Sequence, residues 1–299
     1  MDQVEYVACM RPIQADELIG MDGEVQVSSE LTTLFMSLLG ALAFCLLTRP
    51  DLAVFVSALQ RQTHHVLVVH VRKLNIRLRW AQRHPLKLIY APMQCQRHLL
   101  VHSDSGYRRE YKDGDPEGRS TRGWNTMRLG EGDHFNRVIH LLDWTVGTHK
   151  VVVRSTFTAE TQAAVSAADA MLCTGLALHE ITLGPVSLPI AMQLRENGGY
   201  CFTMGLAVDS MGLVSALSID PVRAPVERSM YAHVAWLQQL LKLNILAYIN
   251  WIDIRDMTSD GHTKGSIRRD ALRQLAGGKL LQRHAAKPAV VRASVTNVA

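Results

Sequence analysis

The hydrophobic period changes twice along the chain, and that alternation limits what it can fold into. Leu52, Phe55, Val56 and Leu59 recur at helical spacing behind Pro50, and a further helix is predicted from Val69 to about Arg83, ahead of Pro85. Between Leu86 and Val153 the pattern becomes short apolar runs separated by turn formers, as in Leu99-Leu100-Val101 and Val138-Ile139-His140-Leu141-Leu142. Helical spacing returns in Ala163, Ala164, Ala167, Met171, Leu172 and Leu178. Strand-like and helical stretches then alternate: Phe202 to Val208, Met211 to Ser218, a helix after Pro225, Ile245 to Ile252, and about Ile267 to Leu275. This order predicts an α/β fold preceded by a small helical region.

The remaining stretches carry less signal. Residues 1–27, with Pro12, Gly20 and Gly23, read as an extended lead-in with little core of its own. The run Leu34 to Leu47 is apolar almost all round but falls short of the ~20 residues of a membrane span. It reads as a buried helix, so no membrane partner is expected. Thr182 to Tyr200 reads as a loop-rich insertion, and the tail after Gly278 shows no period and is expected to be disordered.

Of 299 residues, 47% are hydrophobic and 20% charged, enough apolar chain to bury a core. The formal charge of +5 matters because its cations gather on one predicted helix, as Arg72, Lys73, Arg77, Arg79 and Arg83. Cations near phosphates displace condensed counterions, so such a helix suits a polyanion, although a solvated face would look the same. Five scattered cysteines form no C-x-x-C pair, and the first residues carry two acids and no apolar segment. Neither a disulfide scaffold nor a secretory signal is indicated, and an intracellular location, cytoplasmic or nuclear, is expected.

Four acids fall at the predicted junctions between elements. Asp104 ends the apolar run that starts at Leu99, Glu160 opens a helix, Asp209 closes Leu206-Ala207-Val208, and Asp260 precedes a glycine. Each has an ordinary structural reading as a turn former, a helix-terminus acid or a cap. If they converge, their mutual repulsion requires cations, and Mg²⁺ suits an all-oxygen set, with Mn²⁺ as a substitute. Two such ions about 4 Å apart can activate water and stabilise the leaving oxygen of a phosphodiester.

Several short motifs carry a family resemblance. Gly40-Ala41-Leu42-Ala43-Phe44, Thr48-Arg49-Pro50-Asp51-Leu52-Ala53 and Val56-Ser57-Ala58-Leu59 resemble the segment that follows the polymerase in copia-type retrotransposon polyproteins. Ser103-Asp104-Ser105-Gly106-Tyr107 is similar to that family's first ribonuclease H acid motif. Arg119-Ser120-Thr121-Arg122-Gly123-Trp124 resembles its following strand, and Ser155-Thr156-Phe157-Thr158-Ala159-Glu160 its helix start. Val208-Asp209-Ser210 and Asp256 to Lys264 resemble the stretches around the last two acids.

The resemblance implies a polymerase connection segment at 1–90, a ribonuclease H-like domain at 91–278 and a tail at 279–299. The domain would hold a five-stranded mixed sheet with helices on both faces. Asp104, Glu160, Asp209 and Asp260 would be the catalytic, metal-binding set for two Mg²⁺ ions. The substrate implied is an RNA·DNA hybrid, with Arg72, Lys73, Arg77, Arg79, Arg83, Arg108, Arg109 and Arg119 as nucleic-acid contacts. His262 and Lys264 beside the fourth acid are read as solvent-exposed, with product release or a phosphate contact as the alternative. The polymerase motif Tyr-x-Asp-Asp is absent, so a reverse transcriptase encoded elsewhere is a second expected partner. The alternative is a catalytically inactive retroelement remnant that binds nucleic acid.

Overall fold

A computed structural model describes residues 1–93, 97–107, 120–132, 136–150, 153–220, 222, 227–290 and 292–293. Four helices open the chain: α1 (Val4–Cys9), α2 (Ser29–Cys45), α3 (Ala53–Gln60) and α4 (Val68–Arg83). The Ser28 hydroxyl starts α2 by accepting the Leu31 N–H, which satisfies one of the free donors of the first turn. Leu31, Phe35, Leu42, Leu52, Leu74 and Leu78 pack into a core shared by these helices.

The lead-in is more ordered than its composition suggests. It contains α1, and Val7, Ile13 and Val27 are buried in the helical core. Asn75 of α4 fixes it by pairing with both backbone groups of Ile13, at 2.8 and 2.9 Å. Conversely, α2 is not buried all round, because Leu34, Met36 and Phe44 face solvent. No described helix is long and apolar enough to cross a membrane.

Three long strands follow, β1 (His98–Gly106), β2 (Thr121–Gly132) and β3 (Asn136–Thr148). Next come α5 (Thr156–Leu183), α6 (Leu188–Asn197), β4 (Thr203–Val208), α7 (Met211–Leu217), β5 (Ile219–Asp220), α8 (Tyr231–Lys242) and β6 (Tyr248–Trp251). The chain closes with α9 (Asp260–Thr263), α10 (Asp270–Ala276), β7 (Lys279–Leu281), β8 (Lys287–Pro288) and β9 (Arg292–Ala293). The main sheet has the order β7-β3-β2-β1-β4-β6-β8, while β5 and β9 pair separately. β2 runs antiparallel to β1 and β3, and β1, β4 and β6 are parallel, so the sheet is mixed as expected.

The sheet has seven strands rather than five. The two extra ones are edge strands of two or three residues, β7 on β3 and β8 on β6. Both come from the segment after Gly278, so residues 279–281 and 287–288 are paired where a disordered tail was expected. Leu86-Lys87-Leu88-Ile89-Tyr90 is not a strand. Lys87 makes one isolated bridge to Asp2, while Leu86 and Leu88 bury against the sheet. The Thr182 to Tyr200 insertion carries the helix α6.

Strand alternation divides the sheet into two faces. Leu99 and Val101 of β1 meet α5, α7 and α8, through Ala164, Ala167, Met171, Leu213 and Val234. Leu100 points the other way, toward Met127, Ile139, Leu272 and Leu275 with Leu86 and Leu88.

The Thr48-Arg49-Pro50-Asp51 motif lies where the helical region meets this second face. Arg49 donates to both Asp51 oxygens at 2.9 and 3.0 Å, and both side chains are buried. Arg273 of α10 approaches Asp51 to 3.8 Å. The guanidinium groups of Arg77 and Arg269 both lie over Phe55 of α3, 3.7 and 4.7 Å from its ring centre.

Candidate metal centre

The parallel pairing of β1 and β4 sets Ser103 opposite Val208, so the next residue on each strand is an acid. Asp104 and Asp209 therefore stand side by side at the carboxyl ends of the two strands. Glu160 reaches them from the second turn of α5, whose start is fixed by the Ser155 hydroxyl accepting the Thr158 N–H. One carboxylate oxygen from each of Asp104, Glu160 and Asp209 lies within 4.8 Å of the others.

This is an unusual environment for charge. Asp104 is fully buried and Glu160 is 5% exposed. Asp104 Oδ1 and Glu160 Oε2 have no hydrogen-bond partner among the described residues. Burial pushes the Glu160 carboxyl far above the usual range, and Asp104 and Asp209 add to the shift by repulsion. Burial and then Asp104 raise Asp209 in the same way.

Asp260 stands one step away, at the start of α9. It is not one of the three converging acids, but burial and the nearby Asp104 raise its carboxyl too. Lys264 lies between them, its Nζ 2.5 Å from Asp260 Oδ1 and 3.6 Å from Asp104 Oδ1. Burial lowers the Lys264 ammonium's affinity for its proton, but Asp104, Asp260 and Asp209 together outweigh that and raise it. The Thr263 hydroxyl donates to Asp104 Oδ2.

His262 is fully buried, contrary to the expectation of solvent exposure. Its Nε2 is hydrogen-bonded to Asn125 Oδ1 at 2.6 Å, Asn125 donates to the Thr258 hydroxyl, and Thr258 bonds His102 Nδ1 at 2.9 Å. This chain of contacts fastens α9 across β1 and β2, which is what carries Thr263 and Lys264 to Asp104. Lys264 was legible only as a neighbour of an acid. Its i, i+4 spacing from Asp260 on a helical turn is the signal that could have found the ion pair.

A cleft of about 690 Å³ opens in front of the acids, lined by Glu160, Asp209 and Lys264 and by the hydroxyls of Ser105, Thr156, Ser210 and Ser266. The basic residues of α4 divide into two groups. Lys73, Arg79 and Arg83 are exposed. Arg72 instead donates to the Leu18 and Met21 carbonyls, and Arg77 is half-buried over Phe55. Arg108, Arg109 and Arg119 lie outside the described residues.

No family model and no curated protein matches the sequence. Among solved structures the chain is similar to the N-terminal RNase H domain of Rv2228c from Mycobacterium tuberculosis, solved as a fusion with maltose-binding protein. The identity is 14%, over 60% of this chain and 98% of that one, with a TM-score of 0.32.

Proposed function

We propose that this chain is a ribonuclease H-like hydrolase that cuts the RNA strand of RNA·DNA hybrids with divalent metal ions. Asp104, Glu160, Asp209 and Asp260 would be the metal-binding carboxylates. The observation that carries this reading is the convergence of Asp104, Glu160 and Asp209, with two buried oxygens lacking hydrogen-bond partners. Burying unpaired carboxylates is costly, and a cation among them removes that cost.

The donors are all oxygens, which suits Mg²⁺, or Mn²⁺ in its place. When bound, two such ions would supply an activated water and neutralise charge on the leaving oxygen. The protein's own part is positional. The ends of β1 and β4 hold Asp104 and Asp209, the Thr263 hydroxyl orients Asp104, and the Thr156, Ser210 and Ser266 hydroxyls beside the cleft would offer donors to phosphate and sugar oxygens. Lys73, Arg79 and Arg83 would add phosphate contacts. The motif order supports descent from a copia-type retrotransposon, the scattered cysteines an intracellular setting in cytoplasm or nucleus, and the missing Tyr-x-Asp-Asp motif a separately encoded reverse transcriptase as partner.

Labelled hybrid, duplex RNA and single-stranded RNA, each with and without Mg²⁺, test the reading. Hybrid is cut only with metal, and Asp104→Asn abolishes cutting while hybrid still binds. Absence of any metal-dependent cleavage by the wild type overturns it. One observation favours the second reading, a binding module without turnover: Lys264 already neutralises part of the acidic cluster. That reading predicts hybrid binding with no product in any lane.

A further inference from the structure

We infer that Lys264 is a built-in cation that takes the place of one of the two metal ions, so that the substrate-free protein holds a single divalent ion. The inference rests on the metal-centre reading above and refines it. The four acids fall into two groups. Asp104, Glu160 and Asp209 offer mutually close oxygens that Lys264 leaves open at Glu160 Oε2. Asp260 instead points at Lys264, whose Nζ is 2.5 Å from Asp260 Oδ1 and 3.6 Å from Asp104 Oδ1. The ammonium therefore spans the gap between the first and fourth acids and already satisfies part of the charge a second ion would neutralise.

Charge counting agrees with the geometry. Four carboxylates and one ammonium leave three formal negative charges, which one divalent ion reduces to one and a second would carry past neutrality. Without the ammonium, two divalent ions balance the four acids. Lys264 is also held in place rather than dangling. Arg269 donates to its carbonyl at 2.9 Å and to that of Gly261, which fixes the turn that presents the side chain.

The number of Mn²⁺ ions bound per chain, measured by titration calorimetry and electron paramagnetic resonance on the full chain without substrate, tests this. The wild type binds one ion, Lys264→Met binds two with electron-spin coupling between them, and Lys264→Arg, which keeps the charge, binds one. A wild type that binds two ions overturns the inference and leaves the metal centre standing. One ion in Lys264→Met, with a circular dichroism spectrum like the wild type's, also overturns it. If Lys264→Met does not fold, two ions in Lys264→Arg, or a single ion in a folded Lys264→Gln, overturn it equally. No ion in any form overturns the metal centre itself together with this inference.

Discussion

Gly123 of β2 and His262 of α9 approach so closely that a Cβ on the glycine would stand 2.5 Å from the histidine Cβ. No side chain fits there, because the Thr145 carbonyl closes the other side at 3.2 Å. The glycine is thus the seat on which α9 rests, and α9 carries Thr263 and Lys264 to Asp104.

Substituting Gly123→Val should therefore lift α9 and, because Gly123 pairs with Asp104 across β1 and β2, disturb that acid's surroundings as well. Overpacking of this kind costs about 1–3 kcal/mol. The denaturant midpoint falls accordingly. Mn²⁺ affinity, measured by calorimetry, drops about 10- to 100-fold, as it does when residues that orient metal ligands are lost.

Glu160→Gln should act in opposite directions with and without metal. In EDTA the variant melts at or above the wild-type temperature, because a buried carboxyl repelled by Asp104 and Asp209 is gone. Adding Mg²⁺ at about 100 times its dissociation constant stabilises the wild type by about 2.7 kcal/mol. The variant gains little of this, and thermal melts at several Mg²⁺ concentrations show the difference.

His149 sets a pH dependence. Its Nε2 meets the Ser105 hydroxyl at 3.1 Å, and burial, followed by repulsion from Arg122, pushes its pKa down to about 4. The unfolded chain has the higher affinity for this proton, so the stability tied to neutral His149 is present above pH 6.5 and is lost as pH falls toward 4. Urea midpoints measured across that window should fall more steeply for the wild type than for His149→Gln.

On α4, exposed and engaged cations should separate cleanly. Arg79→Gln with Arg83→Gln lowers the slope of log affinity for hybrid against log salt by about 2 and leaves the melting temperature unchanged. Arg77→Met instead lowers the melting temperature, since its guanidinium stacks 3.7 Å from the Phe55 ring centre.

Asp104 and Asp209 were legible because each sits where an apolar run stops. That is a local signal, and the register of Ser103 with Val208 turns it into adjacency. His262 and Lys264 gave no such signal. The burial of His262, and with it the approach of Lys264 to Asp104, depends on a close approach of α9 to β2 that is visible only once Gly123 and His262 face each other. The two added strands escaped for another reason, since pairings of two or three residues are too short to carry a period. In the lead-in, Val7, Ile13 and Val27 are too widely spaced to announce a core, and the partner that orders Ile13, Asn75, lies in α4.

The junction built by Arg49, Asp51 and Arg273, with Arg77 and Arg269 over Phe55, ties the two halves of the chain together. A fragment starting at residue 91 would deprive Arg269 of its aromatic cushion and strip Leu86 and Leu88 from the sheet. Since Arg269 in turn braces the Lys264 turn, amputating the helices would loosen the acidic cleft from behind. The bundle is thus a brace for the acidic cleft, and a fragment that lacks it loses these contacts.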